Sequence, residues 1–174
     1  MGASLKKSDL EKLIHAIISH RLDYCNVIFN NMNKENLNKL QKCHNAAAKV
    51  IVSPSHSSAV ERLKELHWLP IESRVVYKIL MIVFKILHGQ CTTLKLHFKI
   101  SNLRSGSSNQ LETPNFKTKY GKRIFEYSGS RYWNVLPENI RTIDNIMKFK
   151  KELKTLLFNN FYEIKQKAFK YNPL

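Results

Sequence analysis

Carboxylate is scarce in this chain. Asp9, Asp23 and Asp144 are its only aspartates, and no two acidic residues are neighbours anywhere. Two-metal polymerase chemistry needs carboxylates gathered around paired cations that stabilise the attacking and leaving oxygens. No catalytic centre of that kind is expected here, and no cofactor. Cysteine is equally sparse: Cys25, Cys43 and Cys91 are odd in number, widely spaced and without a Cys-x-x-Cys pair. That excludes a disulfide scaffold and points to a reduced intracellular compartment, nuclear or cytoplasmic. Cys43 and His44 adjoin, but neighbours on a helix diverge by about 100° and no second ligand pair stands at zinc-finger spacing, so no metal site is expected. The longest apolar run, Ile79 to Phe84, is bracketed by Lys78 and Lys85. It falls far short of the roughly 20 residues that span a bilayer, so no membrane association is expected. The segment Met1 to Lys7 lacks the apolar stretch of a signal peptide, and no internal repeat is found.

What the chain has in excess is positive charge. Lys and Arg number 29 against 13 Asp and Glu in 174 residues, a formal net charge of +16 with a pI near 9.9. This is the electrostatic footprint of a polyanion binder, so the expected partner is RNA, DNA or an RNA-DNA hybrid held through phosphate contacts. The excess is uneven: Met1 to Leu87 hold 13 basic and 7 acidic residues, His88 to Leu174 hold 16 and 6. The second half should therefore supply more of any salt-dependent affinity.

The apolar pattern predicts a mainly α protein: a helical bundle over residues 1–90, and a small, irregular α+β module over residues 91–174 with a short hairpin. Ser8 and Glu11 have capping-box spacing ahead of Leu10, Leu13, Ile14, Ile17 and Ile18. Leu37, Leu40, His44, Ala47 and Ile51 share a second helical face, and Ser57 or Ser58 can cap a short helix carrying Val60, Leu63 and Leu66. His67-Trp68-Leu69-Pro70 reads as a loop anchor, because buried Trp is ordinarily a packing residue. Asp23 beside Tyr24 reads as a hydrogen-bonded packing corner. From Arg74 to Leu87 apolar residues cover most of the helical circumference and leave a stripe of Arg74, Lys78 and Lys85, as expected at the centre of a bundle; Gly89 is its natural stop. Leu96, Phe98 and Ile100 alternate, Ser128 to Trp133 reads as a short helix or turn, and a last helix starts at Asp144 or Asn145 with Phe149, Leu153, Leu156, Leu157, Asn160 and Ile164 inward. Lys148, Lys151, Lys154 and Lys165 lie on its other face.

The binding candidates cluster between Phe116 and Phe125. Lys117, Lys119, Lys122 and Arg123 can meet phosphates, Tyr120 can stack on a base or sugar, and Gly121 permits close backbone approach. Arg104, with the hydroxyls of Ser105, Ser107 and Ser108, can add phosphate contacts. A solvated basic loop over core aromatics is the competing account of the same residues.

Six stretches in fixed order carry a resemblance. They are Arg21 to Asn26; Leu40-Gln41 with Asn45 to Ala48; Leu66 to Pro70; Tyr77 to Leu80 with Phe84-Lys85; Leu103 to Ser105; and Trp133 to Pro137 with Ile140-Arg141 and Phe149 to Lys151. Together they resemble the segment downstream of the polymerase core in LINE-type (non-LTR) retrotransposon reverse transcriptases of the jockey and chicken-repeat group, from about Ser8 to about Phe161. The chain departs from that pattern at Gln90 to Thr93, at Lys122 and at Ser128-Gly129-Ser130. The resemblance implies a thumb-like helical region and a basic extension that grip nucleic acid, without the catalytic palm and so without polymerase activity of its own. The rival expectations are a protein-interaction module, self-associating through an exposed apolar surface, and a retrotransposon remnant without function.

Overall fold

The computed structural model describes residues 6–52, 58–91, 94–99, 109–118 and 121–169. Among them the chain is mainly helical. Its elements are α1 (Lys7–Ile14), a π-helical turn (His15–Ser19), α2 (His20–Asp23), a 3-10 segment (Asn26–Asn31), α3 (Lys34–Ile51), α4 (Ala59–Glu65), α5 (Ile71–Leu87), a 3-10 turn (Gly121–Arg123), α6 (Phe125–Val135), α7 (Glu138–Arg141) and α8 (Ile146–Phe169). They form two compact units, Met1–Val75 and Val76–Leu174, and the division falls within α5.

In the first unit Ile14, Ala47, Ala48, Ile51, Leu63, Leu66 and Trp68 make an apolar core. The small side chains of Ala47 and Ala48 let α3 pack closely. The helix ends explain why the chain turns where it does. Asn33 caps α3 by accepting the Asn36 N–H. Ser58 and Glu61 form a reciprocal capping box on α4, and the Ser58 N–H holds the Glu61 carboxyl below the ordinary carboxylate range. Trp68 N–H bonds Leu63 O and His67 N–H bonds Lys64 O, the two bonds of a Schellman motif, with His67 taking the left-handed position at φ 53° that glycine usually fills. Gly89, at φ 70°, closes α5 by the same pair of bonds, as expected.

A polar cluster joins the ends of these helices. Asp23 and Arg74 form a two-pronged ion pair, Nε to Oδ1 at 2.5 Å and Nη2 to Oδ2 at 2.9 Å, with only 25% and 14% of the side chains exposed. Pro70 has no N–H to give, and the first N–H of α5, on Ile71, is satisfied by Gln41 Oε1 at 2.8 Å; Gln41 Nε2 in turn donates to Asn45. His44 is fully buried, stacks on Trp68 at 5.2 Å, and lies with Nε2 3.2 Å from Leu69 O. The His15 ring meets Trp68 edge-on from 5.6 Å.

In the second unit the Phe84 ring stacks on Phe149 at 4.4 Å, and Trp133 leans on Phe149 at 5.9 Å. Gly129 lets α6 lie close against α5: a Cβ there would stand 3.0 Å from Val83 Cγ2. Ser128 and Ser130 bond back to carbonyls one turn earlier, so their hydroxyls are satisfied inside the helix. Asn145 caps α8 through the N–H groups of Met147 and Lys148.

Several expectations are corrected. Ser8 lies inside α1, whose N-cap is Lys6 with no side-chain bond, so the Ser8–Glu11 capping box does not form. Leu13 and Ile17 are exposed, because the core takes the face of Leu10, Ile14 and Ile18. Val60 is exposed on α4. Asp23 is the hydrogen-bonded corner expected, with its partner in Arg74, 51 residues away, but Tyr24 beside it is exposed and does not pack there. The short helix at Ser128 to Trp133 is part of the longer α6. On α8, Phe161 and Ala168 are buried, Leu156 is half-buried and Asn160 is exposed at a non-helical kink. The expected hairpin is one antiparallel bridge, Phe98 to Leu111. Burial also covers the apolar surface of α5: Ile79, Leu80, Val83 and Phe84 have no exposed surface at all.

Burial, with repulsion from the Arg74 guanidinium as the next cause, lowers the His44 pKa from 6.5 to about 4. The unfolded chain therefore takes up a proton that the folded chain refuses. The contribution of neutral His44 is complete above pH 6.5 and is lost as pH falls from there through about 4. Stability should drop by up to about 1.4 kcal/mol per pH unit within that window. In urea unfolding at pH 7, 6 and 5, His44→Leu should show a flatter dependence than the parent; equal dependence would clear His44.

Candidate nucleic-acid interface

The basic segment is anchored by its aromatic start. Phe116 meets Tyr127 of α6 edge-on, centroids 6.3 Å apart. Gly121 rests on the Phe116 side chain, and a Cβ there would stand 2.7 Å from Phe116 Cβ. The glycine is thus required by an approach within the fold, whereas the sequence suggested an approach to ligand. Thr118 Oγ1 accepts the Gly121 N–H at 3.0 Å, and Gly121 O accepts the Ile124 N–H at 3.2 Å. Those bonds shape the 3-10 turn that delivers the chain into α6.

Of the expected contacts, Lys117 is exposed and Lys122 is half-buried on the 3-10 turn that follows. Arg104, Lys119, Tyr120 and the side chain of Arg123 lie outside the described residues. Two other arginines of the second unit are committed to the fold. Arg131 donates to Ala168 O and to Tyr127 Oη, and its guanidinium lies over the rings of Tyr127 and Phe169. Arg141 is buried with Nε 3.1 Å from Leu136 O. The motif Trp133 to Pro137 likewise turns into the fold through buried Trp133 and Leu136, while Pro137 is exposed. Trp133 Nε1 donates to Asn109 O, while Asn134 exchanges two hydrogen bonds with the Leu111 backbone, as a neighbouring strand would. An open cavity of about 510 Å³ beside Asn134 is lined by Lys99, Gln110, Leu111, Glu112 and Thr113.

Charge separates the two units. Met1–Val75 carries 11 basic and 7 acidic residues, Val76–Leu174 carries 18 and 6. In the first unit Lys7, Lys12, Lys39 and Arg74 each have a carboxylate partner. In the second, Lys148, Lys150 and Lys151 on the first turns of α8 are exposed and make no ion pair among the described residues. Tyr162 is 78% exposed further along the same helix. Sequence reading missed Tyr162; the signal was its spacing, seven residues beyond Thr155 and out of phase with the buried Phe161 and Ile164. No group of three or more His, Cys, Asp or Glu that could hold a metal ion is found among the described residues, and Cys43 is exposed where His44 is buried. No helix among them is long and apolar enough to cross a membrane.

Comparison with protein-family models, with curated proteins and with solved structures gave no match to this chain.

Replacing Lys117, Lys119, Lys122 and Arg123 together by alanine should weaken binding to duplex nucleic acid. The slope of log affinity against log salt should flatten by up to about 0.9 for each phosphate that the variant no longer neutralises. An unchanged slope in an anisotropy titration would remove this segment from the interface.

Proposed function

We propose that this chain is a nucleic-acid-binding fragment of a retrotransposon-encoded RNA-directed DNA polymerase, of the LINE type, with no polymerase activity of its own. The observation that carries the reading is the uncompensated charge of the second unit, 18 basic against 6 acidic residues. Arg131 and Arg141 are committed internally, while Lys117, Lys148, Lys150 and Lys151 stand exposed, so much of the excess faces solvent. The order of the six motifs supports the family origin, and the lack of any two adjacent carboxylates supports the lack of polymerase chemistry. In this reading the first unit is a thumb-like scaffold and the second supplies the phosphate contacts to RNA, DNA or a hybrid, in the nucleus or the cytoplasm.

Self-association through apolar surface is the second reading. The apolar circumference of α5 is buried and does not supply such a surface; Leu13 and Ile17, one turn apart and exposed, are what favours it.

Fluorescence anisotropy against an RNA-DNA hybrid and the matching single strands, at about 50 and 200 mM salt, tests the proposal. Binding should weaken steeply over that range. A folded chain that binds none of the three at the lower salt would overturn it, and a dimer persisting in high salt would favour self-association.

A further inference from the structure

We infer that the outward face of α8 is a second contact surface, one that binds single-stranded nucleic acid by combining two lysines with an exposed tyrosine. This rests on the proposed nucleic-acid reading and adds a surface distinct from the segment around Lys117.

The buried residues of α8 are Phe149, Leu153, Leu157, Phe161, Ile164 and Ala168. Lys148, Lys151, Thr155 and Tyr162 recur three, four and seven residues apart outside that stripe, and all four are exposed. Lys148 and Lys151 have no ion-pair partner among the described residues, so both ammonium groups are available to phosphate. Six lysines against two glutamates make the helix cationic along its length, and one of the two, Glu163, is already bonded to Lys167 at 2.6 Å. Glu152 is the acidic residue left among them.

Helix electrostatics do not favour the placement of Lys148. α8 has no acidic residue in its first turn, and a lysine there opposes the partial positive charge of the helix start. A bound polyanion reverses that penalty. Tyr162 is the apolar counterpart: a large ring left 78% exposed on a helix whose other aromatics are buried or half-buried. An aromatic face presented outward suits a base that is free to unstack, which a duplex does not offer. From Lys148 to Tyr162 the helix runs about 20 Å at 1.5 Å per residue, enough to track several nucleotides. The kink at Asn160 lies between the lysines and the tyrosine.

The test compares the full chain with Lys148→Ala/Lys151→Ala, Tyr162→Ala and Tyr162→Phe. Anisotropy is read on an oligouridine and on a duplex of equal length across a salt series. The lysine pair should flatten the single-strand salt slope by about 1.4, from about 0.7 per neutralised phosphate. Tyr162→Ala should weaken single-strand binding by about 5- to 150-fold and Tyr162→Phe should restore it, because stacking needs the ring and not the hydroxyl. The three substituted residues are exposed, so melting temperatures should stay near that of the parent. Parent binding that both alanine variants leave unchanged overturns this inference alone. Equal weakening on duplex and single strand overturns the single-strand assignment, and a parent chain that binds neither probe overturns the nucleic-acid reading with it.

Discussion

Arg74 laid against Asp23 at the first turn of α5 is the contact on which the first unit depends. Two parallel hydrogen bonds fix the guanidinium against the carboxylate, which ties the end of α2 to the start of α5 across 51 residues of chain. Such a pair, largely withdrawn from water, adds little if it forms well but costs heavily if one partner is removed, because the other is left charged and desolvated. The neighbouring bonds have the same logic. Gln41 satisfies the N–H that begins α5, and His44 satisfies Leu69 O while its ring supports Trp68. The burial of His44 as a neutral ring and the positive charge of Arg74 reinforce each other, since a second cation there would be repelled.

Most of the motif residues turn out to have intramolecular work. Asp23, Gln41, Asn45, Trp68 and Pro70 organise the entry to α5, while Trp133 and Asn134 clamp the segment from Asn109 to Leu111 onto α6. These assignments bear on function by elimination. Side chains already bonded within the fold are poorly placed to meet a partner as well, and what is left facing solvent in the second unit is rich in lysine. On the proposed reading, such a chain would build its scaffold from the recognisable motifs and meet the phosphates of its partner with exposed lysines such as Lys117, Lys148 and Lys151.

The helices with strong apolar periodicity were legible in the sequence: α3, α5 and the start of α8 at its Asn145 cap. Their buried faces span whole turns, so a single misplaced residue does not alter the pattern. What was not legible depends on long-range geometry. The partner of Asp23 is far away in sequence and leaves no local mark. Ser8 has the residue type of a capping box, yet the helix begins one residue earlier and the side chain has no free N–H to reach. Leu13 and Ile17 share the helical period of Ile14 and Ile18 but fall on the other side of the packed face. On α8, the kink at Asn160 accompanies a shift in the buried set, so Phe161 is inside where regular continuation suggested Asn160. For the candidate interface, Lys117 and Lys122 were readable from charge clustering alone, whereas the internal role of Gly121 requires knowing where Phe116 lies. Tyr162 escaped because an aromatic residue is assumed to be buried unless its phase is followed through the whole helix.

On the proposed reading, Asp23 and Arg74 hold the scaffold and do not themselves touch nucleic acid. A double-mutant cycle with Asp23→Asn and Arg74→Met, read by urea unfolding alongside salt-dependent anisotropy on the folded variants, addresses that division directly. The expected result is a stability coupling of about 1 to 3 kcal/mol between the two sites, with a salt slope that stays at the parent value in every variant that remains folded. Additive stability effects, with a slope that flattens when Arg74 is removed, would contradict it.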